Sequence, residues 1–211
     1  MKKTIILALL LAMVFSCSAI VHASTASDFE KPIRANLEQI KILNGLNGSD
    51  VTIGEVLRKV FPSSVSSMPA DILKQMDETK MEWPNANTLD KNTKETETTS
   101  SRLNRSITLT HQSVASSNGT RVEYYSRSVS SQSMPYMFVV SYLYEYQTNN
   151  YVDAVFNSGT NTKRVYATGS YDPSPGLYQA IGLHNGTYPD GNSPASYSGI
   201  NSYSDAVGVL P

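Results

Sequence analysis

Apolar positions recur in two different ways along this chain, and each way predicts a different kind of structure. Between residues 24 and 84 they recur every three to four positions, which is the period of amphipathic helices. Thr52-Ile53-Gly54-Glu55 has the form of a capping box, and Val51 and Val56 are spaced as a hydrophobic staple. We therefore predict a segment of short helices, one of which begins at this box and ends before Pro62.

Two further helices are predicted in the same segment. The first begins at the capping-box sequence Ser27-Asp28-Phe29-Glu30 or, because proline lacks an N–H and suits the first helical turn, at Pro32, and it ends at Asn44-Gly45. The last begins near Pro69 and ends by Trp83-Pro84. About 60 residues are marginal for an independent core, so these helices are expected to pack together, on the rest of the chain or on a second copy.

From residue 103 onward the apolar positions recur at every second residue, which is the period of β-strands. Met137 to Tyr146 is the clearest case, and both of its faces are largely apolar, so we predict a central strand there. Asn118-Gly119 has the residues of a tight hairpin turn. The predicted strands are residues 107–114, 121–129, 137–146, 151–156, 164–169, 177–184 and an edge strand over 206–210.

The spacing of these strands and their short connections predict a fold class. Residues 103–211 are expected to form an antiparallel β-sandwich of six to eight strands, with a barrel as the alternative. Residues 185–203 are expected to be a long loop. Residues 85–102 contain one aliphatic residue, Leu89, among polar ones, so they are predicted to be a polar linker. The chain is thus mainly β, with a small α-helical N-terminal part.

Composition excludes several classes of protein. The 211 residues are 40% hydrophobic and 17% charged with a net charge of −1, which argues against a disordered chain and against a nucleic-acid partner, whose binding protein is strongly basic. The single cysteine rules out a disulfide framework or a cysteine metal cluster, and three histidines leave little material for another metal centre.

The first 23 residues have the three parts of a secretory signal, namely the basic start Lys2-Lys3, an apolar run and small residues ending at Ala23. The apolar run is shorter than the roughly 20 residues that cross a bilayer. The mature chain is therefore expected to begin at Ser24, to be exported and to have no integral membrane span. Cys17 provides the alternative of a lipid-anchored form that begins at this cysteine.

Asparagine triplets add one modification to consider in an exported chain. The Asn-x-Ser/Thr sequence occurs at Asn47, Asn104, Asn118 and Asn185. Each could accept a glycan in a host with the machinery, and three of them are followed by glycine and are equally good turn signals.

Candidate groups for acid–base catalysis are few. The β part contains His111 and His184, and Glu123 and Glu145 lie within predicted strands, where two carboxylates could meet across neighbouring strands. The chain has no nucleophile elbow, zinc-protease helix, phosphate-binding glycine loop or dinucleotide motif. We assign no catalytic residue.

Calcium is the metal that the sequence favours, because loops of exported β-sandwiches often hold it with oxygen ligands. Asp190-Gly191-Asn192-Ser193 places an aspartate and an asparagine two positions apart. Two ligands do not make a site, so no metal-binding residue is assigned.

Tyrosine is the unusual feature of the composition. All thirteen tyrosines lie between Tyr124 and Tyr203, where flat rings with a hydroxyl can contact sugars or proteins. Side chains two apart on a strand share a face, so one face of Met137 to Tyr146 is predicted to be a binding platform if it is open and core if it is closed. The candidate ligand-binding residues are Tyr142, Tyr144 and Tyr146, with Tyr188 and Tyr197 of the long loop.

Three functions are compatible with these patterns. The first is an exported, non-catalytic binding module for an extracellular glycan or surface protein, with self-association through the helical segment. The alternatives are a secreted hydrolase with a helical pro-region and a structural component of the cell envelope. A cleft that gathers His111 or His184 with carboxylates would favour the hydrolase, whereas a flat, tyrosine-lined sheet face would favour binding.

Overall fold

A computed structural model describes three ranges of the chain, residues 31–84, 95–102 and 105–211. The predicted signal with Cys17, the sequence Ser27 to Glu30 and the triplet at Asn104 lie outside these ranges. The helices are α1 (Leu37–Leu46), α2 (Ile53–Val60), α3 (Pro62–Val65) and α4 (Ala70–Glu78). The strands are β1 (Ile33–Arg34), β2 (Glu95–Arg102), β3 (Arg105–Ser117), β4 (Val122–Glu145), β5 (Asn150–Tyr171), β6 (Gly176–Thr187), β7 (Ser196–Tyr203) and β8 (Val207–Val209).

Helix α1 begins later than predicted. Asn36 is its N-cap, and a capping box joins Asn36 to Gln39 through two backbone-to-side-chain hydrogen bonds of 2.7 and 3.0 Å. The predicted start at Pro32 is wrong, because the next two residues form β1 and pair with β5. Pairing with a distant strand holds this backbone extended and delays the helix until the next capping sequence.

The other two predicted helices are confirmed. Thr52 and Glu55 form the expected capping box of α2, since each side chain accepts a hydrogen bond from the other residue's backbone N–H. Helix α4 follows Pro69 and buries Ile72 and Met76. Short-range sequence signals therefore set these two helices.

Part of the predicted linker is a strand. β2 pairs antiparallel with β3 over its whole length, and Ser101 exchanges backbone hydrogen bonds of 3.2 and 3.1 Å with Ser193. The linker prediction is wrong for residues 95–102, because a polar segment can be ordered by backbone pairing that its composition does not reveal. Residues 85–94 lie outside the described part of the chain.

β4 and β5 are longer than any predicted strand. Residues 121–129 and 137–146, predicted as two strands, belong almost entirely to β4, and residues 151–156 and 164–169 both belong to β5. The two strands pair antiparallel with a register shift between Val129 and Met134. The stretch between these two residues is polar, so the alternating pattern did not reveal its continuity.

The edge of β4 opposite β5 is shared by two partners. Residues 122–130 pair with β3, and residues 136–145 pair with β6. We call the first group the β3 half, made of β2, β3, residues 122–130 of β4 and residues 164–171 of β5. The β6 half contains residues 136–145 of β4, residues 150–160 of β5, and β6, β7 and β8, with β1 at its edge.

The two halves face one another. Hydroxyl contacts join Ser113 of β3 to Ser202 of β7 at 2.7 Å and Ser126 to Ser141, both of β4, at 2.9 Å. The fold class predicted from the sequence is confirmed: the chain is mainly antiparallel β, with short helices at the N-terminal part and an arrangement consistent with a sandwich. The predicted long loop over residues 185–203 is wrong for residues 185–187, which belong to β6, and for residues 196–203, where β7 pairs with β6.

Two hydrophobic clusters organise the molecule as three layers. One lies between the helices and the outer face of the β6 half, where Phe61 of the helical part contacts Phe156 with ring centroids 5.8 Å apart. The other lies between the two halves and includes Leu109, Val139 and Val165. Two of the expected partners for the apolar faces of the helices are present in the structure, because the helices pack on one another and on the sheet of the same chain. No helix in the described ranges combines the length and apolar character needed to cross a membrane.

Candidate functional site

The predicted tyrosine platform on β4 is closed. Tyr142 and Tyr144 are each 1% exposed and lie in the cluster beneath the helices, and Tyr146 is half-buried at its margin. Tyr142 packs on Tyr151 with ring centroids 5.3 Å apart, and burial raises the pKa of both phenols. The short helices need an apolar surface to cover, and this aromatic face supplies it, so Tyr142 and Tyr144 are core rather than an open surface.

The tyrosines of the predicted loop also point inward. Tyr188 and Tyr197 are 4% and 6% exposed, and their rings meet edge to face at 5.7 Å. Tyr197 also contacts the His111 ring, with centroids 5.1 Å apart. Both rings belong to the hydrophobic cluster between the two halves. The pairing of β7 with β6 places Tyr197 there, and the backbone N–H of Tyr188 bonds to the carbonyl of Ala195 just before β7. A ligand-binding role for any of the five predicted tyrosines stays a prediction, and four of them have almost no accessible surface.

Both histidines of the β part meet in the space between the two halves. A continuous series of hydrogen bonds, which we call the histidine–serine chain, joins nine side chains there. In order they are Tyr188, Thr98, His111, Ser128, His184, Ser202, Ser113, Ser126 and Ser141. The Ser128 hydroxyl lies 3.0 Å from the Nδ1 atom of each imidazole, and His184 Nε2 lies 2.6 Å from Ser202 Oγ.

A glycine makes room for this chain. Gly182 of β6 faces Ser141 and Ser202 across its two neighbouring strands. A Cβ atom at this position would lie 2.5 Å from His184 Nε2 and 2.6 Å from the hydroxyls of Ser113 and Ser202. The polar side chains therefore occupy the volume that any other residue at position 182 would fill.

Both imidazoles are neutral at pH 7. Burial lowers the pKa of His111 to about 4, and burial together with the neighbouring His111 lowers the pKa of His184 well below 6.5. Their hydrogen-bond partners are hydroxyl groups, and no described carboxylate bonds to either ring. Each histidine is 0% exposed. The arrangement satisfies buried polar groups but offers no surface on which a substrate could meet a histidine.

The carboxylates considered for catalysis are not brought together. Glu123 and Glu145 belong to the same strand, β4, so the expectation that they could meet as partners on neighbouring strands is wrong. Glu123 is exposed, and the carboxylate of Glu145 accepts hydrogen bonds from the hydroxyls of Tyr178 and Thr148. Asp153 is buried, and Arg34 holds it through a bidentate pair with nitrogen–oxygen distances of 2.9 and 2.6 Å. This aspartate fixes β1 to β5.

A surface cleft of about 560 Å³ lies beside α4. Asp71, Lys74 and Glu78 line it on the helical side, and Tyr188 and Asp190 on the side of the connection after β6. The residues considered for calcium binding, Asp190 and Asn192, lie at the margin of this cleft. The side chain of Asn192 donates a hydrogen bond to the carbonyl of Pro189 at 2.7 Å. Within the described ranges, no group of three or more histidine, cysteine or acidic side chains is arranged to hold a metal ion. Calcium binding stays a prediction.

The outer face of the β3 half is a solvent-facing surface that carries two tyrosines, Tyr125 and Tyr166. Across β3, β4 and β5 its side chains form three rows, in which partners on neighbouring strands are directly opposite. The rows are Val114–Tyr125–Thr168, Gln112–Arg127–Tyr166 and Thr110–Val129–Arg164. All nine are half-buried or exposed, and none belongs to either hydrophobic cluster. We call these nine side chains the outer face.

Sequence reasoning missed this surface. The alternation over residues 121–129 places Tyr125 and Arg127 on one face and Tyr124 on the other, and this was the signal that could have found it. It could not show which face is solvated.

Comparison of the chain with protein-family models, with curated proteins and with solved structures found no match.

Proposed function

We propose that this protein is an exported, non-catalytic binding module whose outer face binds an extracellular glycan. The observation that carries the proposal is the position of two half-buried tyrosines, Tyr125 and Tyr166, next to Arg127 on a sheet face that no other element covers. A sheet of a sandwich has one buried face and one solvated face, and here the solvated face carries rings and hydrogen-bonding groups.

The spacing of the rings suits a saccharide. Arg127 lies directly opposite Tyr166, and Tyr125 lies directly opposite Thr168, so the two tyrosines are diagonal neighbours on adjacent strands. Diagonal neighbours are about 7–8 Å apart, which allows a short oligosaccharide to contact both rings. Tyrosine binds with low loss of conformational entropy because it has only two side-chain torsions.

The chemistry of the outer face favours a glycan over a protein. Protein interfaces have an apolar centre, whereas the nine side chains here include two valines and no larger aliphatic residue. The large apolar side chains that are exposed in the described ranges, Leu37, Ile42, Leu177 and Leu210, lie elsewhere. Threonine hydroxyls, the Gln112 amide and the Arg127 guanidinium are groups that bond sugar hydroxyls.

Two further observations support a non-catalytic, exported role. His111 and His184 are buried and uncharged, and the carboxylate of Asp153 is engaged by Arg34, so these groups are not available for acid–base chemistry at a surface. The N-terminal sequence up to Ala23 has the parts of a secretory signal. Export brings the outer face to extracellular polysaccharides.

A glycan array followed by titration tests the proposal. The purified protein is expected to bind a subset of oligosaccharides, and Tyr125→Ala and Tyr166→Ala are each expected to raise Kd about tenfold, because an aromatic contact residue typically contributes 1 kcal/mol or more. Lys74→Ala, on the wall of the cleft, is the matched control and should leave Kd unchanged.

Two results would overturn the proposal. The first is an array on which the folded protein binds no glycan. The second is loss of binding in Lys74→Ala with full binding in both tyrosine variants, which would move the site to the cleft beside α4. A thermal melt of each variant separates lost contacts from lost folding.

A further inference from the structure

We infer that the glycan site continues from the outer face over the free edge of β5, where the backbone of Thr168 and the carboxylate of Glu123 hold one neutral sugar residue by its hydroxyl groups. This inference rests on the proposed function and names the class of sugar for the same site. It is carried by a depression beside the outer face, by the backbone groups along the edge of β5 and by the charges around them.

A depression of about 370 Å³ lies where the outer face meets the edge of β5. Its polar side chains are those of Arg34, Glu123, Thr168 and Ser170. Thr168 lies directly opposite Tyr125, and Glu123 lies directly opposite Ser170 in the next row of the same side of the sheet. Glu123 and Tyr125 are two positions apart on β4, about 7 Å along the strand. A glycan that contacts the Tyr125 ring can therefore place its next sugar in this depression.

The backbone groups of Thr168 point to the free edge of β5. In an antiparallel strand, the backbone groups of alternate residues point to the same side. The carbonyl of Ser170 accepts a hydrogen bond from Arg34 at 2.8 Å, and the carbonyl of Tyr166 accepts one from Asn157 at 2.7 Å. Arg34 belongs to β1, which lies on the side of β5 away from β4. Thr168 stands between these two residues, so its N–H and carbonyl lie on that same side.

Thr168 is the open position of this edge. β1 pairs only with Val155 and Phe156, and within the described ranges no other strand joins β5 on this side. No backbone group of the described residues bonds to Thr168 there, and its side chain is exposed. One donor and one acceptor are thus available side by side in the depression.

The capping of the neighbouring positions favours a sugar over an added strand. A strand that joins a sheet edge pairs with backbone groups at successive alternate residues. Here the carbonyls of Tyr166 and Ser170 are occupied, and Thr162 Oγ1 bonds both the N–H and the carbonyl of Arg164, at 3.2 and 2.9 Å. A single sugar needs only the Thr168 position, because each hydroxyl can both donate and accept a hydrogen bond.

The charges around this position favour a neutral sugar. Asp153 accepts two hydrogen bonds from Arg34, at 2.9 and 2.6 Å, which balances the charge of Arg34 and leaves its Nη1 atom as a donor. Glu123 is exposed, and its carboxylate forms no ion pair within the described part of the chain. A free carboxylate accepts strong hydrogen bonds from hydroxyl groups and repels a sugar that carries a carboxylate or sulfate.

Titration with oligosaccharides of equal length tests the class of sugar. The neutral probes are galactan, mannan and glucan oligomers, and the acidic probe is an oligogalacturonide. The protein is expected to bind at least one neutral probe about tenfold more tightly than the acidic one, because only the acidic probe meets a like charge. Glu123→Gln should reduce this difference.

Two variants of Thr168 test the backbone donor. Thr168→Pro removes the N–H, and the β4–β5 pairing remains because proline is tolerated where the N–H faces a free edge. It is expected to bind the neutral probe about tenfold more weakly than Thr168→Ala, which keeps the N–H. The melting temperatures of the two variants should agree within a few degrees.

Glu123→Gln tests the carboxylate. It is expected to weaken binding of the neutral probe about fivefold, because an amide oxygen is a weaker acceptor than a carboxylate. Glu78→Gln is the matched control, since Glu78 is an exposed carboxylate in the cleft beside α4. It should bind like the wild type.

The possible failures are distinguishable. Loss of binding in Tyr125→Ala and Tyr166→Ala, with full binding in Thr168→Pro and Glu123→Gln, would overturn this inference and leave the proposed glycan-binding function intact. Tighter binding of the oligogalacturonide than of every neutral probe would do the same. Failure of every glycan to bind would overturn both. If Thr168→Pro does not fold, Glu123→Gln is decisive, and binding equal to that of Glu78→Gln overturns the inference.

Discussion

The rings of His111 and His184 lie 4.8 Å apart, although one belongs to the β3 half and the other to the β6 half. A single hydroxyl, that of Ser128, lies between them at 3.0 Å from each Nδ1 atom. This contact joins the two halves through polar groups in the middle of the sandwich.

The two histidines are expected to be opposite tautomers. Ser128 has one proton, so a chain in which it donates to one imidazole and accepts from the other needs one ring protonated at Nδ1 and the other at Nε2. Nitrogen-15 NMR at pH 7 distinguishes the two forms. Two rings that are both protonated at Nδ1 would mean that the Ser128 proton is directed elsewhere.

Stability is expected to fall with acid below about pH 6.5. An unfolded histidine has a pKa near 6.5, and burial lowers the pKa of folded His111 to about 4, so the unfolded state binds more protons between these values. The contribution of the neutral histidines to the free energy of unfolding is complete above about pH 6.5. As the pH falls toward the folded pKa, protonation of each histidine in the unfolded state lowers the free energy of unfolding by about 1.4 kcal/mol per pH unit.

Urea unfolding at pH 7.5, 6.0, 5.0 and 4.5 measures this dependence. His111→Gln should reduce the slope, because one of the two titrating groups is gone. A free energy of unfolding that is flat from pH 7.5 to 4.5 would contradict the burial of both rings.

Gly182→Ala is expected to destabilise the protein by about 1–3 kcal/mol, the usual cost of overpacking a core. The added Cβ would lie 2.5 Å from His184 Nε2 and would force the histidine–serine chain apart. Gly208→Ala is the matched control, because nothing lies within 4 Å of a Cβ at that position. Thermal denaturation of the two variants should differ by several degrees, and equal melting temperatures would contradict the packing around Gly182.

Tyr142→Ala is expected to cost about 3–5 kcal/mol, because it removes a fully buried ring from the cluster beneath the helices. Tyr142→Phe should be neutral or slightly stabilising, since the buried Tyr142 hydroxyl has no hydrogen-bond partner. Tyr144→Ala should lower the melting temperature as Tyr142→Ala does. A melting temperature unchanged by either alanine variant would return these rings to the list of surface residues.

Glycan acceptors are expected to divide according to burial. Asn118 is exposed at the hairpin between β3 and β4, whereas Asn185 is 0% exposed and its side-chain oxygen accepts a hydrogen bond from the Gly199 backbone. In a host that glycosylates Asn-x-Ser/Thr, the folded protein should carry a glycan at Asn118 and none at Asn185. Mass spectrometry of Asn118→Gln and Asn185→Gln identifies the acceptor, and a glycan lost only from the second variant would contradict the burial.

The sequence by itself determined the elements whose causes are local. The capping box of Thr52 and Glu55 begins α2 because the two side chains satisfy free N–H groups within one turn. A hairpin forms at Asn118-Gly119 as expected, although only Gly119 has the positive φ predicted for both residues, with a value of 95° that its missing side chain permits. The two periods of the apolar pattern were enough to separate the helical part from the β part.

Elements that depend on distant partners could not be predicted in this way. β2 has a polar sequence, and it is a strand because β3 pairs with its backbone. β1 stands where the sequence indicated a helix, and Arg34 holds it there through Asp153. Backbone hydrogen bonds between strands do not depend on side-chain type, so composition carries little information about them.

The location of the candidate site also depends on contacts between distant parts of the chain. Alternation along a strand separates two sets of side chains, but it does not say which set faces solvent. On the β6 half the helices cover the face with Tyr142 and Tyr144, and on the β3 half the face with Tyr125, Arg127 and Tyr166 is uncovered. Tyrosine is compatible with both surroundings because its ring is apolar and its hydroxyl is polar. Only the packing of the helices on one half, a long-range contact, determined which tyrosines remained at the surface.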